Sequence, residues 1–386
     1  MKLGEKIKAF RQRDGRTQDH LARELGVTAQ AVSRWEKGIC YPDMEVIPSI
    51  ANYFGVSIDE LFGYDHERSK KVDALADTID AMIRQNNGKD VSMDACLSLA
   101  RQALIEFPGN EKIMYALASA LYTAGYVRHG EHHMDGGDGY SVYDTRRHKA
   151  YAEWQEAIAL YEKLLPALQD GEMRQNTVVA LSQLYKNTGE HEKALLLAQS
   201  APDMNASRPI LRINAFDGKE AVAACGEALL DMLLRCTELI ETIVLTDIQM
   251  RPEIAADMLK NAVQMFDLVC TDHTYGKFNA WLSCLHMLRS YYLWLAQDKD
   301  GAFDALDRAL THAADHDRLF DVRSGGYTAP LLRHVQFTMQ KAPDQGAFRA
   351  ELPEVWPWWC VPEREKTKAE MRKDPRWNEW EQKTKE

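Results

Sequence analysis

The amino-acid sequence predicts an all-α protein, a bundle of five short helices followed by a stack of helical hairpins. Three observations carry that expectation. Apolar residues recur at helical spacing from Leu3 to about residue 340. No alternating β-branched run of convincing length interrupts them, so no sheet is expected. A unit with a period near 34 residues recurs after residue 90, as stacked helical hairpins require. With 386 residues, 45% hydrophobic and 27% charged, the chain is long enough for two or three globular domains. No stretch approaches the roughly 18–20 uninterrupted apolar residues of a spanning helix. The start, Met1-Lys2-Leu3-Gly4-Glu5-Lys6, lacks the apolar run of a secretory signal, so a cytoplasmic protein without a membrane partner is expected. Seven scattered cysteines (Cys40, Cys96, Cys225, Cys236, Cys270, Cys284, Cys360) form no C-x-x-C pair. They read as reduced, mostly buried thiols rather than as a disulfide framework or a zinc knuckle.

The first domain is expected over residues 1–64. Its helices carry Leu3, Ile7 and Phe10, then Leu21 and Leu25, Val32 and Trp35, and Ile47, Ile50 and Phe54 on their inner faces. Charge marks this head off. Residues 1–42 hold nine Lys/Arg against five acids, a net of +4, whereas the remainder holds 38 basic and 53 acidic residues, a net of -15. A basic head on an acidic body confines any polyanion contact to the head. Within it, Thr17 to Gly38 has the logic of two crossing helices. Ala22 is small at the crossing, Gly26 permits the turn, Thr17 and Thr28 are N-caps, and Val32 and Trp35 bury the second helix. Ala29, Gln30, Ser33, Arg34 and Lys37 are left on the outer face, where Gln can pair with adenine edges and Arg with guanine. His20 replaces the Glu or Gln that would complete a capping box on Thr17, whereas Ser57-x-x-Glu60 forms one. Pro48 requires the fourth helix to kink or to start near it.

Residues 1–64 resemble the Cro/cI-type, xenobiotic-response-element-like family of helix-turn-helix regulators. The resemblance rests on Leu3-Gly4, Ile7, Arg11, Thr17-Gln18, Leu21-Ala22, Leu25-Gly26-Val27-Thr28, Val32-Ser33-Arg34-Trp35-Glu36, Gly38, Pro42-Asp43, Ile50-Ala51, Phe54-Gly55-Val56-Ser57 and Asp59-Glu60-Leu61-Phe62-Gly63. It implies a five-helix, lambda-repressor-like fold that binds double-stranded operator DNA in the major groove. It also implies phosphate contacts from Gln18, Thr28 and Ser33, and base-edge contacts from Ala29, Gln30 and Arg34. Arg11 and Lys37 are expected on the DNA backbone by charge.

Residues 65–71 are read as a charged linker, or the first turn of the next helix, and 72–345 as a tetratricopeptide-like repeat domain. The clearest repeat runs from Gln175, with Leu181, Ser182, Tyr185, Gly189, Ala194 and Ala198 at the large, small, aromatic, turn, small and small positions. Residues 126–149 form an insertion rich in Gly and His, read as a flexible polar loop or a lid over the groove. Its His129, His132, His133, Asp135, Asp138 and His148 have neither zinc-helix nor calcium-loop spacing, so no metal is expected. Residues 346–386, with Trp356, Trp358, Trp359, Trp377 and Trp380, are expected to cap the stack.

No phosphate loop, nucleophile elbow or Cys-His pair is written in the chain, so neither an enzyme nor a cofactor is expected. Helical hairpins form a groove for an extended peptide, with Asn176, Asn187, Tyr185 and Tyr151 as candidate lining groups or, for the tyrosines, hairpin packing. The layout is similar to that of peptide-pheromone-responsive regulators of Gram-positive bacteria, which implies a bacterial transcriptional regulator. On that reading the body forms a homodimer and senses a peptide or small ligand. A ligand-independent phage-type repressor and a protein-interaction scaffold are the alternatives.

Overall fold

The computed structural model describes residues 3–86, 88–322, 324–339, 346–357 and 364–385. Contacts divide the chain into two compact units, residues 1–123 with 166–168, and residues 124–165 with 169–386.

In the first unit, α1 (Leu3–Arg13), α2 (Gln18–Glu24), α3 (Ala29–Glu36), α4 (Ile47–Phe54) and α5 (Ile58–Phe62) close over one core. That core holds Leu3, Ile7, Phe10, Leu21, Ala22, Val32, Trp35, Ile50, Phe54 and Leu61. Each start has a chemical cause. The hydroxyls of Thr17, Thr28 and Ser57 accept from the amides of His20, Ala31 and Glu60 at 3.2, 3.1 and 3.0 Å. α4 begins at Ile47 with Pro48 in its first turn, where the missing N–H costs nothing. Gly4 lets α1 cross the end of α3, since a Cβ there would lie 1.9 Å from the Trp35 carbonyl oxygen.

The charged stretch 65–71 lies inside one continuous helix, α6 (Tyr64–Gln85), so the head runs into the next hairpin without an extended linker. α7 (Met93–Glu106) returns along it, and the fully buried Asn86 closes the turn. Its Oδ1 accepts from the amides of Val91 and Ser92 at 2.8 and 2.9 Å, and its Nδ2 donates to the Met82 carbonyl at 2.7 Å. α8 (Glu111–His129) follows, and the contact division falls within it rather than at residue 65.

The second unit takes the last turns of α8, then β1 (His133–Asp135), β2 (Ser141–Tyr143), α9 (Thr145–His148), α10 (Ala152–Leu164), α11 (Gly171–Thr188) and α12 (His191–Gln199). It continues with α13 (Arg208–Ile213), α14 (Gly218–Thr246), α15 (Pro252–Val269), α16 (Asn279–Leu295), α17 (Lys299–Val322), β3 (Ser324–Gly326), β4 (Gln336–Thr338), α18 (Phe348–Val355), α19 (Arg364–Met371) and α20 (Pro375–Lys383). The expected hairpin is α11–α12, turning at Gly189 with φ 74°. Tyr185 packs inside it and donates to Glu162 Oε1 at 2.9 Å.

Two expectations need correction. Among the described residues strands do form, paired as two short antiparallel ribbons with His133 opposite Tyr143 and Ser324 opposite Thr338. At three residues each they are too short to show an alternating pattern. The insertion is not a loose loop. β1 and β2 make a hairpin whose tip bridges Tyr140 to Asp247, while Gln249 Nε2 donates to the Asp138 carbonyl at 2.8 Å. It thus ties the α8–α11 region to the corner between α14 and α15.

At the C-terminal end, Trp356, Trp377 and Trp380 are buried on α16 and α17. Trp356 Nε1 donates to Ser290 Oγ at 2.7 Å and Trp380 Nε1 to the Leu306 carbonyl at 3.0 Å. Trp358, Trp359 and Cys360 lie outside the described residues. Cys96 and Cys270 are buried and Cys40 and Cys284 half-buried. Cys225 and Cys236 are exposed, against the expectation of mostly buried thiols.

Candidate nucleic-acid interface

α3 buries Val32, Trp35 and Glu36 and turns the rest outward. Gln30, Arg34 and Lys37 are exposed, Ala29 and Ser33 half-buried, and Thr28 exposed at the helix start. Because 100° separates successive residues, positions 30, 33, 34 and 37 share one face with Ala29 at its edge. The exposed residues of this face carry two positive charges and no acid.

Behind that face lies a contact that the sequence analysis did not identify. The Glu36 carboxylate, its side chain 3% exposed, is gripped at both oxygens by Arg11, Nε to Oε1 at 2.6 Å and Nη2 to Oε2 at 2.9 Å. Gln18 Nε2 donates to the same Oε2 at 2.8 Å. Burial alone would raise the Glu36 pKa, but the bonds from Arg11 and Gln18 outweigh it and hold the acid below its ordinary value. Arg11, expected on the DNA backbone, therefore has its guanidinium engaged inside the head, where it locks the end of α3 to α1 and α2. With one Nε2 hydrogen on Glu36, Gln18 retains its other Nε2 hydrogen, its amide oxygen and partial exposure for an outside partner. The signal for this brace was present, since Arg11, Gln18 and Glu36 all belong to the matched pattern.

The candidate groove residues separate. Asn176 is exposed, whereas Tyr151, Tyr185 and Asn187 are buried. Asn187 lies 2.7 Å from the Tyr126 hydroxyl and, with its oxygen toward Tyr126, 3.2 Å from Glu131 Oε1. Glu131 is pushed up by burial, against the lowering pull of Lys186 and of bonds from Tyr143, Asn187 and Gln183. These polar groups fasten the base of the β1–β2 hairpin. The histidines do the same. His148 Nε2 accepts from the His132 amide at 2.9 Å, so its Nδ1 donates to the Asn187 carbonyl at 3.0 Å. His129 reaches Glu153 at 3.1 Å and stacks on Tyr151. Among the described residues no three His, Cys, Asp or Glu side chains come together as a metal-holding group, and no helix is long and apolar enough to cross a membrane.

A family model described as Helix-turn-helix matches residues 7–61. The HTH-type transcriptional activator BcrR of Enterococcus faecalis is 43% identical over 61 residues, 16% of this chain and 30% of BcrR. The HTH-type transcriptional regulator ImmR of Bacillus subtilis (strain 168) is 35% identical over 92 residues, 23% of this chain and 72% of ImmR. The chain belongs to the helix-turn-helix family of transcriptional regulators. This regulator spans less than a third of the length of BcrR, and most of its helical body lies outside both alignments. Among solved structures it is similar to Bacillus thuringiensis PlcR in complex with the peptide PapR7 and DNA, at 18% identity, 83% of this chain, 95% of that chain and a TM-score of 0.29. It is also similar to ComR from S. thermophilus in complex with DNA and its signalling peptide ComS, at 12% identity, 81% and 93% coverage and a TM-score of 0.27.

Proposed function

We propose that the chain is a sequence-specific DNA-binding regulator in which residues 1–64 read an operator and the body joins two copies and senses a ligand. The supporting observation is the outer face of α3, which leaves Gln30 and Arg34 unburied on a helix held rigid from behind by the Arg11–Glu36–Gln18 brace. In this reading Gln30 and Arg34 meet base edges with Ala29 beside them. Thr28, Ser33, Lys37 and the second Nε2 hydrogen of Gln18 meet phosphates, and Arg11 acts by positioning α3. Two heads on one dimer match half-sites one helical turn apart, roughly 34 Å.

For the ligand we favour the apolar slot of about 300 Å³ between α11 and α12, lined by Val178, Val179, Ser182, Leu197 and Ala198. Its size is at the lower end for a bound small molecule or a few side chains of a peptide. α12 buries no residue of its own, so this side of the hairpin is open.

The test is binding of the full-length protein to DNA flanking its own gene against a scrambled duplex, at two salt concentrations, because salt isolates the phosphate contribution. Preference for the flanking DNA at both salts is expected. Equal affinity for both duplexes, with and without a peptide extract from the source cells, would overturn the reading.

A further inference from the structure

The 29-residue helix α14 carries a feature that its own fold uses only in part. Val222, Cys225, Leu229, Met232, Cys236, Leu239 and Ile243 follow one another at alternating steps of three and four residues, which is the a/d pattern of a coiled coil held over three heptads. None of these positions is fully buried, although Leu229 and Met232 in the middle of the stripe are half-buried and Leu229 packs against the core of its own unit. The buried set of the helix is Ala224, Gly226, Ala228, Leu230, Leu233, Thr237 and Val244, which turns toward its neighbours in the unit. Along the seven-residue stripe, Val222, Leu239 and Ile243 are 40%, 63% and 59% exposed, and both cysteines are exposed. Every charged residue between positions 222 and 243, namely Glu227, Asp231, Arg235, Glu238 and Glu241, falls off the stripe. An apolar strip exposed at both ends, at Val222 and Cys225 and at Cys236, Leu239 and Ile243, marks a contact surface.

We infer that the stripe is the face through which two copies of this chain pair, α14 against α14 around a two-fold axis. This rests on the reading above that the regulator works as a dimer, and it names the surface. Two observations choose a second copy over another partner. The body carries a net charge of -15 outside residues 1–42, so two bodies repel wherever their charged surfaces meet, and the stripe offers a charge-free route between them. The stripe is also self-complementary. In a parallel pair all seven positions meet their own copies, Cys225 on Cys225 and Cys236 on Cys236. In the antiparallel pair that sets Val222 against Leu239, Cys225 meets Cys236. Either way knobs fill holes without a polar or charged side chain in the seam. Leu211 on α13 and Met258 on α15, the helices packed against α14, are exposed apolar residues of the same unit as well.

The experiment compares the full-length protein with the Leu239→Glu, Ile243→Glu double variant by sedimentation equilibrium under reducing conditions, with circular dichroism to check that helix content is kept. Because both residues are more than half exposed, the variant is expected to fold. The wild type is expected to sediment at twice 44.0 kDa, and the variant's dimer dissociation constant to rise at least about 100-fold. Oxidation of the wild type is expected to give a covalent dimer that Cys225→Ser, Cys236→Ser does not form, since facing thiols in such a seam lie within bonding reach. A variant that dimerises as tightly as the wild type would overturn the α14 face while leaving the dimeric regulator standing. A wild type that is monomeric at tens of micromolar, free and on DNA, would overturn both.

Discussion

Glu36 shows how a single buried acid can set the geometry of a reading helix. It is one carboxylate with three donated hydrogen bonds, and removing Arg11 leaves it uncompensated behind α3. Arg11→Met is therefore expected to cost on the order of 3 kcal/mol. The check is hydrogen exchange of the full-length protein, in which protection should fall in α1–α3 and stay unchanged in α16. Because Glu36 is held below its ordinary pKa, its contribution is present above the unfolded value near 4.5 and is lost as the pH falls through the folded value. On the reading face the expectation differs by residue. Gln30→Ala and Arg34→Ala should each lose on the order of 1–3 kcal/mol on the operator and little on random DNA. Lys37→Ala should weaken both about equally, and equal losses for all three on both duplexes would sink the base-edge assignment. Another acid behaves in the opposite sense to Glu36. Burial, reinforced by the nearby Glu238, pushes Glu241 up to about 7, so the folded state favours the protonated acid. Its contribution is present below about pH 4.5 and disappears as the pH rises through 7. Glu241→Gln should accordingly raise the melting temperature at pH 8, by the equivalent of about 1 kcal/mol, and change little at pH 5.

Among the elements, those with a strong local cause were legible in the sequence. Thr17, Thr28 and Ser57 start their helices as N-caps, Pro48 places the start of α4, and Gly189 turns the α11–α12 hairpin. What stayed hidden depends on partners distant in sequence. The brace on Glu36 joins residues 25 and 18 positions away, and the strands of the insertion are three residues long, with their tip bonded to the α14–α15 corner. Residues 65–71 look like a linker by charge, yet the structure continues them as helix because Val72 and Ile79 on the same helix are buried in the α6–α7 hairpin. One close approach at this scale is testable. A Cβ on Gly125 of α8 would sit 2.1 Å from Nε1 of the fully buried Trp154, so the indole needs that glycine. Gly125→Ala is expected to destabilise the second unit by roughly 1–3 kcal/mol, read by urea unfolding. An unchanged midpoint would mean that the ring has another place to go.

For the whole molecule, the asymmetry of charge has a measurable consequence. If only the basic heads touch DNA, and each copy neutralises about two phosphates, affinity should fall on the order of 100-fold between 50 and 200 mM salt. A much shallower fall would mean that few phosphates are engaged. Charge suggests a head ending near residue 64, whereas the division by contacts falls inside α8, a helix whose periodicity runs unbroken through the boundary. The insertion hairpin also says something about time. Its tip bonds to Gln249, 111 residues further along the chain. At a synthesis rate of about 5–20 residues per second, that anchor leaves the ribosome roughly 6 to 20 seconds after the hairpin does. A two-stranded ribbon is marginal alone, and this one keeps Met134, Tyr140 and Val142 exposed even when docked. The nascent chain must therefore carry an unfinished ribbon for several seconds, and the hairpin can dock only once the corner after α14 has been made.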